Sequence, residues 1–327
     1  MSGTWPPSSR WSRRASPART TSRGGERSWR SAGPRSGDSS GVAQRRLREL
    51  LETSSPVFAP VCLDPLTART LEAQGYNAAY LSGGALGFQL AVSEALLTVT
   101  EMAETARRIT ARSGIALIVD GGVGFGDAVH TSRTVAEIEA TGAAAIELED
   151  QVAPKRAHHH KGIEHLVSLE EMVGKLEVAV AARRDPDFLI IARTGAVRNE
   201  SYEAAVKRGR AYRAAGADLV MLRPDTPEQW RDAVTAIDAP LAAMASFGSR
   251  TRAEWGALAW PLVIDPFTGQ VAGWLAAREA SRHFLEEGAS GEDEREIAAG
   301  YEAIKQAAGM DDWYEIEERT TERGAGG

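Results

Sequence analysis

The sequence predicts an α/β protein built as a (β/α)8 barrel of TIM type, with extra helices after it. From about residue 42 onward, short apolar runs alternate with stretches of helical periodicity. The alternation occurs eight times within roughly 230 residues, and the apolar runs are nearly continuous, as strands are in a parallel sheet covered by helices. A doubly wound open sheet is the alternative architecture. Against it, no G-x-G-x-x-G opens the first helix, where a dinucleotide fold seats pyrophosphate.

Each element has its own signal. A helix over 45–52 leads into an apolar run over 56–63, and Pro65 opens a helix over 65–74 that Gly75 stops. A strand over 78–82 follows, then helix 98–113, strand 116–120, helix 131–141 and strand 144–149. The series continues with helix 168–184, strand 188–193, helix 202–215, strand 219–222 and helix 227–237. Strand 241–245, helix 252–259, strand 261–264 and helix 270–287 complete it. Beyond lie two acidic, polar helices over 291–309 and 313–323; apolar spacing at Ile297, Tyr301, Ile304 and Ala308 predicts that the first packs on a neighbour. The expected division is a tail over 1–41, a barrel over 42–288 and a helical extension over 289–327.

Composition narrows the class. Of 327 residues, 43% are hydrophobic and 25% charged, which predicts a soluble globular protein with a real core. No apolar run approaches the roughly 20 residues that span a bilayer, so no membrane association is expected. Cys62 is the single cysteine, which excludes an intramolecular disulfide framework and a multi-thiolate zinc site and predicts a reducing, cytoplasmic setting. The net charge of -7 makes the whole chain a poor polyanion binder, so nucleic acid is not an expected partner. The first 40 residues invert this balance, with eight Arg against Glu26 and Asp38. They contain eleven Ser and no Leu, Ile, Val or Phe, so burial cannot offset their ordering entropy and the tail is expected to be disordered. A dispensable appendage, a targeting segment and a polyanion-binding arm are its three readings.

In a parallel barrel the chemistry sits at the C-terminal ends of the strands. Those positions read Ser82-Gly83-Gly84, then Asp120-Gly121-Gly122-Val123-Gly124-Phe125-Gly126, then Glu147 through Gln151, then Arg193-Thr194. Polar residues and glycine concentrate there, and the strands behind them are apolar.

These stretches, together with Tyr80-Leu81 before the first and Val152-Ala153-Pro154-Lys155-Arg156 after the third, resemble the isocitrate lyase and phosphoenolpyruvate mutase superfamily in order and spacing, from about Val57 to about Glu287. The methylisocitrate lyase and carboxyphosphonoenolpyruvate mutase types look most similar. The resemblance implies a (β/α)8 barrel whose last helix is exchanged between subunits in a homo-oligomer, a tetramer by that likeness. It also implies a magnesium ion, with manganese as the alternative, and a 2-oxo acid or its enolate bound to it.

The matching residues have a physical logic of their own. Asp120 and Glu149 end adjacent strands and can converge on a hard cation that keeps several waters; a helix cap or surface pair is the plainer alternative. Ser82, Gly83 and Gly84 are expected to form a turn whose amides bind a carboxylate, or simply a tight turn. Arg193 offers a planar cationic fork to a carboxylate or enolate oxygen, or a buried ion pair with Glu149 or Asp150, and the two readings are compatible. His158, His159 and His160, with His165 nearby, are a general acid or base, ligands for a softer metal, or a solvated loop. His159 falls on the family's histidine position and, with Arg193, Lys155 and Tyr80, makes up the expected catalytic set.

Departures from the family are equally specific. Gly122 stands where a second metal-binding acid is usual, and Ala157 where the lyases carry their proton-donating cysteine. Gly195 replaces an aspartate, and the acid expected on the loop after the second strand aligns with Ser93. The family's late asparagine has no clear counterpart within 242–246. Three functions follow as expectations. The first is a diverged carbon–carbon lyase acting on a small 2-hydroxy or 2-oxo (di)carboxylic acid through a metal-stabilised enolate. The others are a carbon–phosphorus enzyme of the mutase or phosphonopyruvate hydrolase type, and a catalytically silent barrel serving as a binding or assembly subunit.

Overall fold

Parity along the strands decides what the barrel contains. The computed structural model describes residues 39–53 and 56–322. The elements are α1 (Ser39–Leu51), β1 (Val57–Pro60), α2 (Pro65–Gln74), β2 (Ala78–Leu81), α3 (Gly83–Gln89), α4 (Val99–Thr110), β3 (Ala116–Asp120), α5 (Ala128–Glu139), β4 (Ala145–Glu149), α6 (Leu169–Ala182) and β5 (Leu189–Arg193). They continue with α7 (Ala196–Asn199), α8 (Tyr202–Ala214), β6 (Leu219–Met221), α9 (Pro227–Ile237), β7 (Leu241–Met244), α10 (Arg252–Ala257), β8 (Leu262–Asp265), α11 (Thr268–Glu287), α12 (Glu294–Ala308) and α13 (Met310–Arg319). The Arg-rich tail expected over 1–41 lies outside the described residues as far as residue 38, and α1 already begins at Ser39.

The eight strands are all parallel, in the order β1-β8-β7-β6-β5-β4-β3-β2. The last seam, between β1 and β2, is joined by the bridge from Val61 to Tyr80, and the Cys62 amide donates to the Tyr80 carbonyl at 2.8 Å. This is the nearly closed barrel the alternating pattern predicts. Because side chains alternate faces, Ala116 and Ile118 of β3 join Leu189 and Ile191 of β5 and Leu262 and Ile264 of β8 in an inner core, which Leu47 of α1 helps to fill. Leu117, Val119, Ile190 and Val263 point outward and pack beneath the helices.

The helix boundaries follow local chemistry. Asp64 caps α2 with Pro65 at its first position, and Gly75, at φ +94°, ends it in the left-handed region that glycine adopts freely. Reciprocal capping boxes start α4 at Thr98 and Glu101 and α9 at Thr226 and Gln229. One expectation changes: Ser82-Gly83-Gly84 is not a turn but the start of α3, with Ser82 Oγ capping the Ala85 amide. The C-terminal helices lie outside the barrel. Ala307 of α12 is buried, and Arg69 of α2 donates to the Ala308 carbonyl at 3.1 Å. No residue of α11 is buried, although it is the longest helix described. Among the described residues, no helix is long and apolar enough to cross a membrane.

Candidate active site

Four carboxylates and three basic groups meet at the C-terminal ends of β2 to β5. The inward parity that buries Ala116 and Ile118 brings Asp120 to the end of β3, Glu147 and Glu149 to the end of β4 and Arg193 to the end of β5. Asp120 is clamped by backbone: the Gly83 amide donates to one oxygen at 3.0 Å and the Gly122 amide to the other at 2.9 Å. Arg193 donates to Glu147 at 3.1 Å and lies 3.6 Å from Glu149 and 3.9 Å from Glu164. The ion pair expected for Arg193 is therefore present with Glu149 and absent with Asp150. Asp150 instead accepts from Tyr212 at 2.7 Å, from Arg208 and from the Gly195 amide.

Lys155 places its ammonium between Glu94 and Glu149, in contact with both. His159 donates its Nδ1–H to the Arg156 carbonyl, 2.8 Å away, and turns Nε2 toward Glu94 at 3.4 Å. His160 stacks on Phe88 and meets Ser93 Oγ at 3.1 Å, while His158 is exposed. Among the described residues no group of three or more His, Cys, Asp and Glu side chains is arranged to hold a metal ion. Tyr80 is buried inside the barrel and its hydroxyl donates to Glu147 at 2.6 Å.

Electrostatics follow from this crowding. Burial, reinforced by Glu94, Glu147 and Glu149, pushes the Asp120 carboxyl up to about 7. Burial also raises Glu147, although Arg193 and Tyr80 oppose the shift. Burial works against the charge on Glu94, but Lys155 and His159 more than offset it and hold the acid well below its usual range. The same Glu94 raises His159 against the effect of its burial.

A cavity of about 660 Å³ opens onto this cluster, lined by Ser82, Gly84, Glu94, Asp120, Lys155, His159 and Arg193 from the β2 to β5 side. Gly83 and Glu149 are buried behind its surface. Gly83 lines a second cavity of about 400 Å³ next to Gly122. The Gly84 amide has no acceptor among the described residues, so the first turn of α3 still offers a backbone donor to the main cavity.

Two acids were missed from the sequence. Glu147 was signalled by parity, being two residues before Glu149 on the same inward face. Glu94 comes from the loop after the second strand: Ser93 caps a short 3-10 turn over Glu94–Leu96, and the carboxylate of the next residue enters the cavity.

The fold is matched in known proteins. The family model for phosphoenolpyruvate phosphomutase matches residues 47–265, and the chain belongs to this family, within the isocitrate lyase and phosphoenolpyruvate mutase superfamily. That superfamily contains carbon–carbon lyases and carbon–phosphorus mutases and hydrolases acting on small carboxylic acids, and this chain is one of its enzymes. It is 40% identical to 2,3-dimethylmalate lyase of Eubacterium barkeri over 228 residues, covering 68% of this chain and 78% of that one. Identity to 2-methylisocitrate lyase of Aeropyrum pernix is also 40%, over 248 residues, with 74% and 80% covered. Among solved structures, oxaloacetate acetylhydrolase with 3,3-difluorooxalacetate superposes with a TM-score of 0.78 at 29% identity, covering 88% of this chain and 98% of that one. Phosphonopyruvate hydrolase with oxalate and Mg2+ gives 0.76 at 31% identity, covering 85% and 99%.

Proposed function

We propose that this enzyme is a carbon–carbon lyase acting on a small 2-hydroxy or 2-oxo (di)carboxylic acid by way of an enolate. The observation that carries the reading is that Arg193, backed by Glu147 and Glu149, lines the same cavity as Asp120 and the unsatisfied Gly84 amide. In this reading Arg193 and Gly84 bind the substrate carboxylate and the developing enolate oxygen, because a fixed fork of donors and a free amide favour concentrated negative charge. His159 holds the proton that Ala157 cannot supply, with Glu94 favouring its charged form. Lys155 bridges Glu94 and Glu149, and Tyr80 orients Glu147 toward Arg193.

The donor set fits a magnesium ion. Glu94, Asp120, Glu147 and Glu149 outnumber the permanent cations Lys155 and Arg193, and their mutual repulsion is what raises Asp120 beyond the effect of burial. Asp120 and Glu149 are the residues that would hold it, with water in the remaining positions as Mg2+ prefers; Mn2+ is the alternative. When bound, it supplies Lewis-acid stabilisation of negative charge on the substrate oxygen.

The exposed side chains of α11, among them Trp274, Leu275, Phe284 and Leu285, support a homo-oligomer in which this helix packs on another copy. Breakage of a carbon–phosphorus bond is the second reading, favoured by Ala157, which leaves the loop without a thiol. The deciding experiment incubates purified enzyme and Mg2+ with 2,3-dimethylmalate, 2-methylisocitrate, oxaloacetate and phosphonopyruvate and follows product by mass spectrometry. Cleavage of a carbon–carbon substrate supports the proposal; turnover of phosphonopyruvate alone overturns it.

A further inference from the structure

Arg208 of α8 holds both ends of two segments that reach the active site. Its side chain is buried and meets acceptors from separate parts of the chain. Both terminal nitrogens donate to the Val167 carbonyl at 3.1 Å; one also reaches Asp150 at 3.3 Å and the other Glu200 at 2.7 Å. Asp150 and Val167 are the two ends of the loop that carries Lys155, His159 and Glu164, and the Val167 amide donates to the Asp150 carbonyl at 2.9 Å. Pairing of Gln151 with Leu166 closes the neck just inside them.

The second segment is α7. Asp150 accepts from the amide of Gly195, the residue before it, at 3.0 Å, and Glu200 is the residue after it. The two segments meet where Asn199 of α7 donates to Glu164 of the loop at 2.9 Å, and Glu164 faces Arg193 at 3.9 Å. Asp150 and Arg208 themselves are buried behind the cavity wall that Glu164, Arg193 and Gly195 line. A planar guanidinium with five donors can span this set of acceptors, whereas an ammonium, a point charge with three, reaches only part of it.

We infer that Arg208, acting through Asp150 and Glu200, is a positioning residue: it fixes the loop over 150–167 and α7 against each other and so seats Glu164 beside Arg193. This rests on the assignment of Arg193 to substrate binding.

Hydrogen–deuterium exchange on the full chain reads the anchoring without substrate. Arg208→Met is expected to speed exchange about tenfold or more across 151–167 and 194–200 and to leave β3 at the wild-type rate. Arg208→Lys should lie between the two, and Glu200→Gln, which keeps the arginine, should loosen 194–200 more than 151–167. These two variants carry the comparison if Arg208→Met fails to fold. Calorimetric titration with oxalate in Mg2+ buffer reads Arg193. Arg208→Lys and Asn199→Ala are each expected to weaken oxalate binding about tenfold at unchanged Mg2+ affinity, and the double variant should be no weaker than the weaker single one, because both act through Glu164. Exchange that stays at the wild-type rate, or rises equally in β3, overturns the inference, and so do oxalate affinities that stay intact or fall additively. If wild type binds no oxalate, or binding survives Arg193→Gln, the function assigned to Arg193 fails instead, and exchange alone decides the anchoring.

Discussion

Glu164 occupies the space that a side chain on residue 195 would need: a Cβ built on Gly195 falls 2.1 Å from Glu164 Oε2. Asn199 pins Glu164 from two directions, donating to its carboxylate at 2.9 Å and accepting from its amide at 3.2 Å. Glu164 also faces Arg193. The glycine at position 195 and the loop glutamate are thus one arrangement. Gly195→Asp is expected to destabilise the fold by about 1–3 kcal/mol through overpacking and like-charge crowding. Gly195→Asp combined with Glu164→Ala should recover most of that. Urea unfolding of the two variants checks it, and equal losses in both would refute the steric account.

The vacancy at Gly122 differs in kind. Its φ is +50°, a left-handed value that Asp tolerates better than most residues, and a Cβ there meets nothing within 4 Å. Gly122→Asp should therefore fold and should bind Mg2+ more tightly than wild type, by roughly tenfold if the added carboxylate reaches the ion. Asp120→Asn should weaken binding. Isothermal calorimetry decides, and no Mg2+ binding by wild type or Gly122→Asp rejects the magnesium assignment.

Alternation of apolar and helical text was enough to place the barrel, because parallel strands need continuous apolar runs and each connection needs a helix. The same reasoning located Asp120, Glu149 and Arg193, since strand ends are where polar side chains can face a cavity. It passed over Glu147, which the two-residue period of β4 implied, and it did not single out Glu94 on the loop after β2. Loop register has no periodicity to fix it, and only the packing of Lys155 and His159 on Glu94 reveals which residue turns inward. The pairing of Glu164 with Asn199 was equally illegible, since 35 residues separate the partners.

Helix α11 exposes Val271, Trp274, Leu275, Phe284 and Leu285, while the helices around the barrel bury part of one face. If another copy covers this surface, light scattering should report an oligomer. Trp274→Asp with Leu285→Asp should then shift it toward monomer and lower the thermal midpoint by several degrees. A wild-type monomer at micromolar concentration would contradict the assembly.

Cys62 supplies a pH test. Burial pushes its thiol from 9.0 up to about 12, its sulfur reaching only the Asp64 carbonyl at 3.5 Å. The folded chain holds this proton more tightly than the unfolded chain. Its contribution to stability is complete below pH 9 and is lost progressively between 9 and about 12. From pH 9 to 11 that loss amounts to about 1.4 kcal/mol per unit. Cys62→Ala should flatten the slope in urea unfolding across this range; an unchanged slope would show that other groups govern it.

Arg193 gives the most direct test of the proposed chemistry. Its guanidinium spans Glu147 and Glu149 on one nitrogen and faces Glu164 with another, so its plane is fixed before substrate arrives. A lysine would keep the charge but could neither bridge those acids nor present a fork to a carboxylate. Arg193→Lys should therefore lower turnover on the order of a hundredfold, because misplacing one binding group by about an ångström costs that much. Asp120→Ala should abolish turnover, since it removes both a proposed metal ligand and the acceptor of the Gly83 and Gly122 amides. Ala157→Cys restores a thiol to the loop, yet it should yield little isocitrate cleavage. Glu164 still fills the space beside Gly195, so the substrate remains poorly seated for that reaction. Steady-state kinetics on the substrate found by the screen measure all three. A confirmed activity that survives both Arg193→Lys and Asp120→Ala would have to arise at another site.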